Sequence, residues 1–112
     1  MPKMVFLVFT NAVEGEDDAF NEWYEHQHLP DLLKVEGVSA AQRFAMKPAP
    51  EDAAQFPWKY LAIYEIDHTD IPAFQAALGK IAGTSAMPLS PALDGASVKT
   101  VFAAAIGERQ TA

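Results

Sequence analysis

The sequence predicts a single α+β domain whose elements follow the order β-α-β-β-α-β. Three observations predict it: four apolar segments of strand length, two helical patterns between them, and a length of 112 residues that fits one domain. A chain of this length buries about two thirds of its extended surface on folding, so its core needs no disulfide or metal. We therefore expect residues 1–112 to form one domain.

The first strand and the helix after it are the clearest elements of the N-terminal half. Residues 4–9 form an unbroken apolar run, which we expect to be buried on both faces. The acidic stretch 14–18 suits a helix start, because negative side chains complement the positive end of the helix dipole. Since Pro30 cannot continue a regular helix, we expect a kink or break near His28 and Leu29 and a short second helical piece over residues 31–35.

The remaining elements are two strands, a helix and a last strand. Residues 38–47 and 58–66 have the length and alternation of strands, with a proline-rich loop between them. Residues 97–106 read as the last strand. Thr69 or Asp70 can cap the second helix. The apolar stripe of that helix consists of Ile71, Phe74, Leu78 and Ile81.

This order of elements predicts a four-stranded antiparallel sheet with both helices on one face, the ferredoxin-like fold. The strands are too apolar to leave the other face in water. The first strand has no polar alternation, and the last contains the apolar run 101–106. Because a second copy covering the open face would bury this excess, we expect a homodimer that packs sheet against sheet.

The composition argues against several classes of partner and site. The chain has 15 acidic and 8 basic residues, a net charge of −7, and its basic residues are scattered singly. Neither nucleic acid nor an anionic membrane surface is therefore an expected partner. No apolar run is long enough to cross a bilayer. The absence of cysteine excludes disulfides and thiolate chemistry and fits a cytoplasmic location.

His28 is the residue best placed for chemistry. Tyr24 lies four residues before it and shares its helix face, whereas His26 lies about 200° around the helix. The two histidines therefore do not form a helical metal pair, and no metal is expected. Asp31 is close enough in sequence to hold one ring nitrogen of His28 and fix its tautomer. Alternatively, His28 caps the broken helix end and bonds to the backbone.

Three residues of the predicted strands are further candidates. Arg43 is the only arginine in a predicted strand. It either pairs with a carboxylate, such as Glu65 or Asp31, or binds an anionic group of a substrate. Tyr60 and Tyr64 share one face of the third strand, where they line a pocket or fill the core.

A resemblance to a known family rests on the segment 20–33, FNEWYEHQHLPDLL, and on AQRF at residues 41–44. These segments resemble the EthD-like family of the dimeric α+β barrel superfamily. The most specific feature is the aromatic pair Trp23 and Tyr24 followed by a histidine directly before Leu-Pro, which by position is His28. The resemblance implies a ferredoxin-like protomer that dimerises through its sheet, with a cavity near this histidine.

The resemblance also implies work on small molecules. Relatives in the superfamily include cofactor-independent oxygenases, polyketide cyclases and dehydratases, lactone isomerases and haem-binding enzymes. One hypothesis is an enzyme that oxidises, dehydrates or isomerises a small apolar or aromatic compound without a cofactor, with His28 as catalytic acid or base. The alternative is a non-catalytic accessory or ligand-binding protein of a degradation pathway. The expected substrate-binding residues are Trp23, Tyr24, Asp31, Arg43, Tyr60 and Tyr64.

Overall fold

A computed structural model describes residues 2–112 and contains, within them, one four-stranded sheet and two helical regions. The strands are β1 (Met4–Thr10), β2 (Val38–Ala45), β3 (Tyr60–Ile66) and β4 (Lys99–Ala104). The helices are α1 (Asp17–Trp23), α2 (Leu29–Leu32) and α3 (Ile71–Ile81), with a π-helical segment (Tyr24–His28) between α1 and α2. Short 3-10 turns occupy Pro50–Gln55 and Gly95–Ser97.

The sheet has the strand order β2-β3-β1-β4, and every neighbouring pair is antiparallel. β1 and β3 are the central strands, so each helical region connects a central strand to an edge strand. The buried core lies between one face of the sheet and the helices, with Phe20 from α1 and Phe74 from α3 both packed in it. The predicted ferredoxin-like α+β fold is confirmed.

Of the predicted kink or break near His28 and Leu29, the structure has an irregularity in the helix but no break. The chain stays helical from Asp17 to Leu32 because it widens into the π-helical segment, where the N–H of Leu29 donates to the carbonyl of Tyr24 five residues back. Pro30 follows directly at the start of α2, a position where a missing N–H is tolerated. The second helical piece is thus Leu29–Leu32 and not 31–35.

A β-bulge in β2 decides which side chains face the helices. The strict alternation predicted for residues 38–47 placed Val38 and Ala40 on one face. A register shift between these two residues puts them on opposite faces instead. Arg43, which lies opposite Ala62 of β3, therefore shares the helix-covered face with Val38.

The opposite face of the sheet carries none of the helices among residues 2–112. Its side chains in β1 are only partly buried, so the expectation that this strand is buried on both faces is not met within one protomer. Two of its large apolar side chains, Phe44 of β2 and Val101 of β4, are 41% and 47% exposed. Its other members include Val5, Leu7, Phe9, Leu61, Ile63 and Glu65.

Two details fix the ends of these elements. Gly37, between α2 and β2, has a φ of +92°, and a Cβ there would lie 2.6 Å from the ring of His68. Only glycine fits this turn. Asp70 caps α3 by accepting a hydrogen bond from the N–H of Ala73, as one of the two predicted caps. No helix within residues 2–112 has the length and apolar character needed to span a membrane.

Candidate functional site

A cavity of about 180 Å³ lies between the helix-covered face of the sheet and the π-helical segment. It is partly open to solvent and is lined by side chains of β1, β3 and β4, the two helical regions and the loop after α3. Most of these side chains are apolar, and the exceptions are one histidine, two tyrosines and one threonine. The lining residues are Phe6, Val8, Tyr24, His28, Leu32, Tyr64, Leu78, Ala82, Met87, Leu89 and Thr100.

The ring of His28 is held in this cavity by aromatic contacts. Trp23 stacks on it with ring centroids 4.6 Å apart and an angle of 26° between the planes. Tyr24 meets it edge to face at 4.9 Å. The indole N–H of Trp23 donates to the carbonyl of Pro88 at 3.2 Å, which ties the helix to the loop after α3. Trp23 contacts His28 but does not itself line the cavity. The predicted cavity beside His28 and Tyr24 is therefore present.

The two nitrogens of His28 differ in their surroundings. Nδ1 is the only enclosed side-chain nitrogen or oxygen within residues 2–112 that has no hydrogen-bond partner. Nε2 is not enclosed in this way, so it is the nitrogen through which the ring can meet a ligand. An enclosed polar atom without a partner costs about 1–3 kcal/mol. Such atoms call for an explanation, and a catalytic role is one of those that apply.

Burial keeps the His28 ring neutral. Desolvation lowers the pKa of His28 from its usual 6.5 to about 4, and the Asp31 carboxylate opposes this only in part. At neutral pH the imidazole therefore carries no charge. A neutral imidazole can accept a proton through one nitrogen, which makes it a base and not an acid in the resting protein.

The second polar group in the cavity is a pair of tyrosines. The hydroxyl oxygens of Tyr24 and Tyr64 lie 3.0 Å apart, and either can be the donor. Two hydroxyls hold two protons and their mutual bond uses one, so the pair keeps one O–H free to donate. Burial raises the pKa of both phenols, and they remain protonated at neutral pH. His28 thus supplies a base to the cavity, and the tyrosine pair supplies a hydrogen-bond donor.

Arg43 lies on the far side of the Tyr24 ring from the cavity. Its guanidinium carbon is 4.6 Å from the centroid of the Tyr24 ring, 5.4 Å from that of Tyr60 and 5.6 Å from that of Phe20. Arginine stacked on aromatic faces in this way gains cation–π attraction. Arg43 does not line the cavity of His28.

The polar partners of Arg43 are not those expected from the sequence. Nη2 donates to Oδ1 of Asn21 at 2.8 Å, and Nη1 lies 3.8 Å from Oε1 of Glu25. Arg43 does contact a carboxylate, as one of the two predicted alternatives, but the carboxylate is Glu25. The two examples named were wrong, because Glu65 lies on the open face of the sheet and Asp31 belongs to the far end of the helix. Asn21 was not predicted, although its spacing of four from Glu25 on one helix face could have indicated it.

Tyr60 also lies outside the cavity. Its hydroxyl donates to Oδ2 of Asp17 at 2.5 Å, and Nδ2 of Asn21 lies 3.4 Å from the same hydroxyl oxygen. This bond lowers the pKa of Asp17, which Lys59 at 3.6 Å lowers further. Tyr60 and Arg43 line a separate surface depression together with Asn21. Of the two strand tyrosines, Tyr64 is therefore the one that faces the cavity.

Asp31 is buried, but it does not hold His28. Its carboxylate accepts a bond from Nε2 of Gln27 at 3.4 Å and lies 4.0 Å from Nζ of Lys34. The expected bond that would fix the tautomer of His28 is absent, because the Asp31 carboxylate is turned to Gln27 and Lys34 instead. The alternative of a helix cap also fails, since no side-chain cap bond is formed by His28.

His26 lies on another side of the helix, as its spacing predicted. Its side chain is 67% exposed and pairs with Glu22 at 3.6 Å. Among residues 2–112, no three His, Asp or Glu side chains come together as metal ligands. The cavity residues that the sequence did not single out are apolar ones from α3 and the following loop, such as Leu78, Met87 and Leu89. Only the three-dimensional packing brings them to His28.

Known structures similar to this chain have its fold. One is a mutant of MhuD with two manganese protoporphyrin IX molecules bound per active site, with a TM-score of 0.64, 14% identity, and coverage of 96% of this chain and 99% of that one. A second is HapK from Hahella chejuensis, with a TM-score of 0.63, 18% identity, and coverage of 97% and 98%. A third is an EthD family protein from Bacillus halodurans C-125, with a TM-score of 0.46, 21% identity, and coverage of 96% and 99%.

No protein-family model matches the sequence, and the comparison with curated proteins gives no match. Identities of 14% and 18% over almost the whole length establish a shared fold and leave the activity open. The chain therefore has the ferredoxin-like α+β fold that these structures share, as its order of elements and its sequence resemblance predicted.

Proposed function

We propose that the protein is an enzyme that moves a proton within a small, largely apolar or aromatic carbonyl compound, isomerising or dehydrating it without a cofactor. The observation that carries this proposal is the neutral, unpartnered His28 ring in an apolar cavity beside a free tyrosine O–H. A base and a donor in one cavity are the two groups that such a reaction needs.

His28 is the proton carrier of the proposed reaction. Nε2 takes a proton from the carbon next to the carbonyl group. The imidazolium that forms is strongly acidic, because burial lowers the pKa of His28 to about 4 and Nδ1 has no acceptor to share the charge. The same ring therefore returns the proton readily, either to another carbon or to a departing hydroxyl group.

The tyrosine pair stabilises the oxygen of the substrate. As the carbon loses its proton, negative charge develops on the carbonyl oxygen. The free O–H of the pair donates to that oxygen in a site with little water, where such a bond counts for more than in solution. Both phenols have raised pKa values, so the pair donates a hydrogen bond and keeps its proton.

A porphyrin does not fit this cavity. One similar structure holds a manganese porphyrin, but sites for drug-sized ligands measure about 300–1,000 Å³ and a tetrapyrrole is at the large end of them. The cavity of His28 measures about 180 Å³. It is suited to a single ring with one or two polar substituents.

A ligand-binding protein without turnover is the second candidate. The observation that favours it is that Asp31 bonds to Gln27 and leaves His28 without an orienting partner. Catalytic bases are commonly oriented by a third group. In this case the cavity would hold the same class of compound and pass it to a partner oxidase.

Solvent deuterium exchange separates these two candidates. In D2O, the protein is expected to accelerate exchange of the methyl protons of acetophenone, a small aryl ketone, followed by NMR. His28→Gln should lower this rate about 10²–10⁴-fold, while His26→Gln, its exposed control, should leave it unchanged. Binding of acetophenone without exchange would favour the ligand-binding candidate. An equal loss in both variants would contradict the assignment of His28.

We also propose that the chain forms a homodimer through the open face of the sheet, with a location in the cytoplasm. The large, partly exposed apolar side chains of this face, Phe44 and Val101 among them, support the pairing. Sedimentation should give twice the protomer mass. Val101→Lys should give monomers, and Gln75→Lys on the exposed side of α3 should not. A wild-type monomer at micromolar concentration would contradict the proposal.

A further inference from the structure

The ion pair of Arg43 with Glu25 is long, and its carboxylate is exposed to solvent. The Arg43 side chain is only 11% exposed, and Glu25, whose side chain is 54% exposed, lies 3.8 Å from it. Within residues 2–112 the guanidinium makes one side-chain hydrogen bond, in which Nη2 donates to the neutral amide oxygen of Asn21. An arginine in a bidentate pair has much of its field cancelled by the carboxylate. Arg43 therefore keeps a positive field at the aromatic rings around it.

The nearest of these rings is Tyr24, at 4.6 Å from the guanidinium carbon. The hydroxyl of Tyr24 reaches through to the cavity, where it bonds to Tyr64. Tyr60 is also close to Arg43, but its hydroxyl already donates to Asp17 and lies outside the cavity. The path from the charge to the cavity thus runs through Tyr24 alone among the three rings.

We infer that Arg43 is a positioning residue, which acts through the ring of Tyr24 to orient the tyrosine pair so that Tyr24 donates to Tyr64 and Tyr64 donates to the ligand. The inference rests on the proposed function, since it names the group of that site which binds the substrate oxygen.

The direction of the bond follows from the position of the charge. A nearby cation stabilises a phenolate and so makes the attached O–H a better donor. The cation lies against Tyr24, so Tyr24 is the stronger donor of the two and Tyr64 the acceptor. The O–H of Tyr64 is then the free one. Because its oxygen accepts a bond, it is also strengthened as a donor by about 10–30%.

The charge of Arg43 makes both tyrosine hydroxyls better hydrogen-bond donors. Arg43 opposes the rise that burial causes in the pKa of Tyr24 and in that of Tyr64. The other charged groups near this cluster are Glu25 on the same guanidinium and the Asp17–Lys59 pair beyond Tyr60. Removing the charge of Glu25 should therefore strengthen the effect, and removing that of Arg43 should weaken it.

The carbonyl stretching frequency of bound acetophenone, labelled with ¹³C at the carbonyl, tests the orientation by infrared spectroscopy. In the wild-type protein this frequency should be lower than in hexane, because a hydrogen bond weakens the C=O bond. Tyr64→Phe should abolish the shift, whereas Tyr24→Phe should reduce it by only about 10–30%. Loss of the whole shift in Tyr24→Phe, with none in Tyr64→Phe, would overturn the inference.

Variants at Arg43 test the role of the charge. Arg43→Met should reduce the carbonyl frequency shift by about the same fraction as Tyr24→Phe. Arg43→Lys should keep most of the wild-type shift, and Glu25→Gln should increase it. An unchanged shift in folded Arg43→Met would overturn the role of Arg43, although acetophenone binding and exchange would still support the proposed function. That outcome is recognised when His28→Gln loses deuterium exchange while the Arg43 variants leave the carbonyl frequency unchanged.

Titration of the tyrosines by NMR tests the role of Arg43 without a ligand. It applies even if acetophenone does not enter the cavity, a result that would count against the proposed function. The chain has three tyrosines, so ¹³Cζ labelling of tyrosine gives three signals that single Tyr→Phe variants assign. On raising the pH, the Tyr24 signal should titrate before that of Tyr64. Arg43→Met should move the Tyr24 titration to higher pH. A Tyr24 titration that is the same in both proteins would overturn the inference.

Discussion

The two sides of the Tyr24 ring differ in how their polar groups are satisfied. On one side, Arg43 bonds to Asn21, and Tyr60 bonds to Asp17. On the other side, His28 lies in an apolar cavity with an enclosed nitrogen that has no partner. Both sides use residues of one continuous helical run that are spaced by four. These are Asp17 and Asn21 on the first side, and Tyr24 and His28 on the second.

This difference indicates which side awaits a ligand. Polar groups that are buried for stability are nearly always hydrogen-bonded, because an unmade bond is costly. The cluster around Arg43 follows that rule and holds the helix to β2. The cavity around His28 departs from it. A departure of this kind is typical of a residue that serves function and not the fold, and a ligand would meet its other nitrogen, Nε2.

Removal of the Phe20 ring, which packs against Tyr24 between the two sides, should have the largest effect on stability. Phe20 is fully buried and contacts Tyr24 and Tyr60 as well as the guanidinium of Arg43. Phe20→Ala should lower the free energy of unfolding by about 3–5 kcal/mol, measured by denaturant titration at fixed protein concentration. Glu22→Ala, on the exposed side of the same helix, should stay within about 0.5 kcal/mol. A small loss in Phe20→Ala would mean that the two sides are not joined through this ring.

The pH dependence of stability should isolate His28. Its pKa is 6.5 when unfolded and about 4 when folded, so the unfolded chain binds a proton that the folded chain resists between these values. Stability should therefore fall as the pH drops from about 6.5 to 4, by about 3 kcal/mol, and stay level above pH 7. His28→Gln lacks this contribution and serves as the reference. Parallel curves for the two proteins would show that the ring is not desolvated.

Asn21→Ala should weaken the satisfied side alone. It removes the one hydrogen bond to the guanidinium of Arg43, and bonds to charged groups contribute about 1.5–3 kcal/mol. Acetophenone binding should be retained, because Asn21 does not line the cavity. Calorimetry of binding beside thermal unfolding checks both parts. Loss of binding with unchanged stability would reverse the roles given to the two sides.

The smallest expected effect has the opposite sign. His28→Phe keeps an aromatic ring against Trp23 and Tyr24 but removes the enclosed nitrogen. The variant should be as stable as the wild type or more stable by about 1 kcal/mol, and it should have lost deuterium exchange. A residue that is retained at a cost in stability serves something other than the fold. Marked destabilisation in thermal unfolding would instead assign a structural role to His28.

Local sequence patterns predicted most of the fold because each element has its own signal. The apolar run of β1 and the cap at Asp70 could both be predicted from a few neighbouring residues, without knowledge of the tertiary packing. The π-helical segment and the bulge in β2 had no such signal. Each adds one residue to a regular repeat, and only packing against the sheet decides where that residue is placed.

The candidate site was predictable in part for the same reason. Helical spacing placed Tyr24 beside His28 and placed His26 away from both. It could not assign Arg43 to the other side of the Tyr24 ring, because that position depends on the bulge in β2. Nor could it decide the partner of Asp31, because Gln27 at a spacing of four and His28 at a spacing of three are both its neighbours on a helix.

The most direct test of the site is ¹⁵N NMR of histidine-labelled protein, with and without phenol, a small aromatic hydroxyl donor. The His28 signals, assigned with His28→Gln, should remain those of a neutral ring at pH 5.5 and titrate only near pH 4. Phenol should shift Nε2 more than the enclosed Nδ1. A His28 ring that is protonated at pH 5.5 and unaffected by phenol would contradict the account of an open, ligand-binding base.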